Sequence, residues 1–152
     1  MEKLIKKLIK RAKNNSHGVY FLNTQQELKN FYLEGLNKYK IWKAIASIED
    51  WLPVDKIFLQ DFRKKLDEKK IKTRVIFKKS GLKFEPKGLK YRKVKIIPSS
   101  YKFKSSIDIL DDKILIMNPS LNVLGLVVEI DPILDIFNDV FDLLWNTLPD
   151  PK

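Results

Sequence analysis

A chain of 152 residues with 44% apolar and 11% aromatic content is long enough to bury a core and too hydrophobic for a disordered tail. It has no cysteine and one histidine, which excludes a disulfide framework, a thiolate nucleophile and a zinc site built from His and Cys. The net charge of +11 is unevenly spread: residues 71–104 hold 12 basic side chains against one acidic, Glu85, while residues 105–152 hold 2 basic and 9 acidic.

That central excess favours contact with nucleic acid, an anionic surface or an acidic partner. Ten of its twelve cations are Lys, with Arg74 and Arg92 the exceptions. Specific phosphate recognition recruits more Arg, so solvated lysine-rich faces are an equal reading. No run of about 18 uncharged apolar residues is present, so no transmembrane helix is expected. Lysines interrupt the apolar residues of MEKLIKKLIKRAKNN, which removes the continuous run of roughly 7–15 that a secretory signal needs. The expected compartment is the cytoplasm, with no membrane partner.

In chain order, residues 2–13 read as an amphipathic helix through Leu4, Ile5, Leu8, Ile9 and Ala12. Residues 1–15 are set apart as a dimerisation or linker helix, and 16–152 as the domain. Asn14 to Gly18 breaks the helix, and Val19 to Leu22 is apolar enough for a buried strand. Thr24-Gln25-Gln26-Glu27 forms a capping box that opens a helix with Leu28, Phe31, Tyr32, Leu36 and Tyr39 on one face. Ile41 to Ala46 is a second strand. Pro53 opens a third helix, with Val54, Ile57, Phe58, Phe62 and Leu66 inward. Ile71 to Phe77 is a strand rich in β-branched residues.

Lys78 to Arg92 contains Gly81, Pro86 and Gly88 without a clean period and reads as an irregular connection. Val94 to Ile97 is a strand stopped by Pro98. Three close-spaced strands follow: one through Ile107 and Ile109, a return over Lys113 to Met117 after an Asp111-Asp112 turn, and Val123 to Ile130 after an Asn118-Pro119-Ser120 turn. Asp131 then caps a helix with Pro132 at its first position and Ile133, Ile136, Phe137, Val140, Phe141 and Leu144 buried. Strand–helix alternation predicts parallel strands first, and the tight turns predict antiparallel strands added in the C-terminal half. The expected fold is α/β, a single mixed sheet flanked by helices.

The catalytic inventory is thin. His17 lies in an Asn-Asn-Ser-His-Gly turn with no local carboxylate and reads as a solvated loop histidine. No phosphate loop, dinucleotide fingerprint or serine-hydrolase elbow is present. Asp108, Asp111 and Asp112 suit a polar turn better than a hard-cation site, and no metal or cofactor is expected. Two segments suggest a pocket. Ser47-Ile48-Glu49-Asp50-Trp51 follows the second strand, where ligand loops gather at the carboxyl ends of parallel strands, although Trp51 also reads as buried mass. Lys102-Phe103-Lys104-Ser105-Ser106 leads into the strand at Ile107. Candidate ligand residues are therefore Ser47, Glu49, Trp51, Lys104, Ser106 and Asp108. A nucleic-acid surface would use Lys78, Lys79, Lys83, Lys87, Lys90, Arg92, Lys93 and Lys95.

The run KIIPSSYKFKSSIDILDDKILIMNPSLNVLGLVVEIDPILDIFNDVFDLLW resembles the C-terminal effector region of TrmB-type transcriptional regulators. That region reads as a proline-ended strand, a Phe/Ser segment, an Ile-Asn-Ile-like strand, a Lys-containing turn, a Gly-Val-Val-Ile-Glu strand and a helix ending near Trp. Ala46 to Trp51 and Ile71 to Ile76 look like its upstream segments, so the similarity covers about residues 18–147. It implies a phospholipase D-like fold, whose hallmark is H-x-K-x-x-x-x-D. With Asp111 in the motif's Asp place, its His falls at Lys104 and its Lys at Ser106, so neither matches and no phosphodiester chemistry is implied. Family members begin with a winged helix and a coiled dimerisation helix, for which residues 2–13 are too few. The resemblance thus implies a fragment or a stand-alone effector domain, with DNA contact through a partner or the basic 71–104 segment. No sugar specificity carries over. The expected function is a non-catalytic, homodimeric regulatory domain that binds a small ligand or protein, the alternative being a DNA- or RNA-binding module.

Overall fold

The computed structural model describes residues 1–6, 18–118 and 125–151. Residues 7–13 of the expected first helix, His17, the turn at Pro119-Ser120 and the start of the expected last strand lie outside them; residues 2–6 are helical. Seven strands form one sheet: β1 (Val19–Leu22), β2 (Ile41–Ala46), β3 (Lys72–Lys78), β4 (Arg92–Ile97), β5 (Ser106–Ile109), β6 (Ile114–Met117) and β7 (Gly125–Val128). Their order is β1-β7-β6-β5-β2-β3-β4. β2, β3 and β4 are parallel, and β5, β6 and β7 extend the sheet antiparallel from β2. The mixed sheet is the expected one, with one difference. β1 pairs antiparallel with β7 at the sheet edge. Three of its four residues are exposed, Phe21 at 57%, so the strand is not buried. Four apolar residues in a row do not distinguish a central strand from a short edge strand.

Helices cover both faces. α1 (Gln25–Lys38), the short α2 (Ile48–Trp51) and α3 (Lys56–Glu68) lie on one side, and α4 (Asp131–Thr147) on the other. Strand alternation sorts the side chains: Trp42, Val75, Asp108, Leu115 and Val127 face the first group, while Ile76, Ile109, Ile114 and Val128 meet Leu134 and Phe141 of α4. The capping box at α1 forms: Thr24 accepts from the Glu27 amide, and the Glu27 carboxylate accepts from the Asn23 amide at 2.7 Å. Gly35 permits the closest approach on this side, since a Cβ there would fall 2.6 Å from the Trp42 ring.

Four helix details differ from expectation. α3 begins at Lys56, not Pro53, because Asp55 caps it by accepting from the Phe58 amide. Phe62 and Leu66 of α3 are buried, whereas Ile57 is 83% exposed and Val54 is also exposed. The cap of α4 is Ile130 with no side-chain bond, so Asp131 is its first residue. Leu134 and Phe141 anchor α4, and Ile136 and Val140 face outward. Apolar residues cover more than half of α4's circumference, opposite a stripe of Asp135, Asn138, Asp139 and Asp142, so periodicity alone does not choose which part of the apolar arc faces the sheet. The connection after β3 is ordered as a 3₁₀ helix over Lys79–Phe84.

Candidate ligand site

At the carboxyl ends of β2, β3 and β4 lies a polar knot. The Lys78 ammonium, with its side chain 8% exposed, pairs with Glu49 at 2.8 Å and donates to the Phe103 carbonyl at 2.7 Å. Ser80 donates to the same Glu49 oxygen, and the Ser80 amide donates to Ser99. Ser47 is fully buried; its amide donates to the Ser106 hydroxyl at 2.9 Å, and its own hydroxyl donates to Asp50. Burial alone would raise the Glu49 carboxyl, but hydrogen bonds from Lys78, its own backbone and Ser80 hold it below the usual range. The structure thus brings Ser47, Glu49 and Ser106 together with Lys78, which sequence reasoning placed on the nucleic-acid surface. Lys78 is buried and committed, and so is unavailable to a phosphate backbone. Lys104 stands exposed just before β5, and Asp111 lies beyond the opposite end of that strand.

Asp108 points elsewhere, into a cavity of about 130 Å³ between α1, α3 and the sheet. The Asp108 carboxylate accepts from the Tyr32 hydroxyl at 2.9 Å and from the Trp42 indole at 3.1 Å. Burial pushes its pKa up to about 6, and the Trp42 and Tyr32 bonds offset only part of that. Burial, then the Asp108 charge, keeps the Tyr32 phenol well above its ordinary value. Tyr32 stacks on Trp42, and Phe62 meets both edge-on at centroid distances of 4.9 and 5.3 Å. Phe58 stacks on Phe62. Trp51 and Ser106 also line the cavity, and the buried Trp51 indole N–H has no partner among the described residues. On the solvent side, Lys29 of α1 pairs with Asp55 at 2.7 Å, with its ammonium 5.4 Å from the Phe58 ring centre. Sequence reasoning found Trp51, Ser106 and Asp108 but missed Tyr32, Trp42, Phe58 and Phe62. Trp42 and Tyr32 stand 66 and 76 residues from the acid they serve, so no local spacing signals the group.

Asp111-Asp112 forms the expected turn between β5 and β6, and the three acids do not gather. Asp108 is inside, while Asp112 is bound at the surface by Lys38 and Tyr39. Of the proposed basic surface, Lys79, Lys83, Lys87, Lys90 and Lys93 are exposed. Arg92 is not available: its guanidinium makes two bonds to Glu85, at 2.6 and 2.9 Å. Lys95 is largely covered, paired with Asp150 and bonded to the Leu148 carbonyl. Lys83 and Lys87 instead share a cleft with Lys56 and Lys64 of α3, two lysines sequence reasoning passed over. No helix among the described residues is long and apolar enough to cross a membrane.

No protein family and no curated protein matches the chain. Solved structures do. The Salmonella typhimurium phospholipase D family member Nuc superposes with a TM-score of 0.52 at 10% identity, over 89% of this chain and 95% of Nuc. The fold is phospholipase D-like. NucT from Helicobacter pylori agrees with a TM-score of 0.59 at 13% identity, over 88% of this chain and 97% of NucT. TrmBL2, an archaeal chromatin protein described with a novel mode of DNA binding, gives 0.60 at 13% identity over 99% of this chain. The chain spans 60% of TrmBL2's length. On this phospholipase D-like scaffold, the two ends of β5 separate Lys104 from Asp111.

Proposed function

We propose that the chain is a non-catalytic effector domain, akin to the effector region of TrmB-like transcriptional regulators, that binds a small ligand in the α1–α3 cavity. It would pair with a second copy through its N-terminal segment. The fate of the motif positions carries this reading. The place of the nucleophilic imidazole holds Lys104, and the place of the phosphate-binding lysine holds Ser106, whose hydroxyl is buried against the Ser47 amide. A lysine cannot form and release a phosphoenzyme as an imidazole does. The test is hydrolysis of bis(4-nitrophenyl) phosphate and single-stranded DNA by the pure protein. The expected result is none above a heat-treated control; turnover abolished by Lys104→Ala contradicts the proposal.

A second reading, nucleic-acid binding, is favoured by the cleft that Lys56, Lys64, Lys83 and Lys87 surround. TrmBL2's DNA binding points the same way. Four phosphate contacts would weaken duplex affinity about a hundredfold between roughly 50 and 200 mM salt. Replacing these four lysines by Gln should then remove most of the salt dependence. An unchanged slope in a mobility-shift titration sinks this reading.

A further inference from the structure

We propose that the cavity between α1 and α3 is a site for a small organic ammonium ion, one ring with a short aminoalkyl arm, held by Asp108 and the faces of Tyr32, Trp42, Phe58 and Phe62. This rests on the effector reading and gives its ligand a chemical class. Cavities of the order of 130 Å³ take up a single benzene-sized ring, which bounds the ligand's size.

The charge argument is more selective. Asp108 is buried, and among the described residues its side chain is bonded by two neutral donors, Tyr32 and Trp42. Two carboxylate oxygens offer about four acceptor sites, so capacity remains for a ligand N–H. Among the described residues no Lys or Arg pairs with Asp108. Arg63 and Arg92 also line the cavity, but the first donates to the Phe84 carbonyl and the second is held by Glu85. A buried carboxylate without a cation is costly, and an ammonium ligand removes that cost. An anionic ligand would be repelled, and a neutral one would leave the charge uncompensated. A hard metal ion would find one carboxylate in an aromatic wall where it wants six or more oxygens.

The walls and the mouth agree. Electron-rich ring faces attract cations most strongly where water is excluded. Lys29 already shows the contact, holding its own ammonium over Phe58 while tied to Asp55.

The experiment is calorimetric titration of the whole chain at pH 7.5 with benzylamine, its neutral isostere benzyl alcohol, and tetramethylammonium, on wild type and Asp108→Asn. Benzylamine should bind at least about tenfold more tightly than benzyl alcohol, a gap of the size a desolvated cation–π contact and ion pair supply. Asp108→Asn should erase that preference. The wild-type comparison alone decides the matter if the variant does not fold. Benzyl alcohol binding as tightly as benzylamine, or no probe binding at all, overturns the ammonium assignment. Neither outcome touches the effector reading, which falls only on phosphodiester turnover.

Discussion

The polar knot at the carboxyl ends of the parallel strands and the aromatic cavity under α1 and α3 treat a buried charge oppositely. In the knot, the buried Lys78 meets a carboxylate and a carbonyl, and the serines around it satisfy one another. In the cavity, the buried Asp108 meets only neutral donors beside an unfilled space. The knot supplies its own counter-charge, although one Glu49 oxygen stays buried without a partner among the described residues, whereas Asp108 has no cation beside it among them.

The contrast can be broken most forcefully at Trp42. Trp42→Ala removes a large buried ring that contacts Tyr32, Tyr39 and Phe62 and bonds Asp108. It should cost about 3–5 kcal/mol in urea-induced unfolding. In the knot, Lys78→Ala leaves Glu49 without its cation; with Glu49 a quarter exposed, a loss of about 2–3 kcal/mol is expected, at the low end for a broken buried pair.

Asp108 should show the opposite sign. Its folded pKa of about 6 lies above the ordinary 3.8, so between these values the folded state binds more protons than the unfolded one. Its contribution to stability is therefore full below about pH 4 and lost as pH rises through about 6. Asp108→Asn lacks this loss, and its stability relative to wild type should improve by about 2 kcal/mol from pH 4 to pH 7. Parallel unfolding curves at the two pH values check it, and an unchanged difference contradicts the uncompensated-acid picture. The smallest effect belongs to the mouth. Lys29 and Asp55 are each about a third exposed, so Lys29→Ala should change stability by less than about 1 kcal/mol while altering access to the cavity.

Much of the scaffold was legible because its signals are local. The capping box at Thr24 to Glu27, the β-branched run of β3 and the Asp111-Asp112 turn each specify structure within a few residues. What failed was what neighbours decide. Ile136 and Val140 share α4 with Phe141 and are equally apolar, but the sheet takes up only the side carrying Leu134 and Phe141. Asp55 displaced Pro53 as the start of α3 because its carboxylate reaches the Phe58 amide. Trp51, Ser106 and Asp108 were singled out in the sequence and do line the cavity, through the general tendency of strand ends to open onto clefts. Arg92 and Lys78 look like free cations in the sequence, and only the fold reveals Glu85 and Glu49 beside them.

The three tryptophans offer the most direct test, since Trp42 and Trp51 line the cavity and Trp145 belongs to α4 on the opposite face. In a ¹⁵N–¹H spectrum titrated with benzylamine, the Trp42 indole resonance should move as the site fills while Trp145 stays in place. A saturable shift at Trp145 with Trp42 unmoved would show that the working surface lies elsewhere.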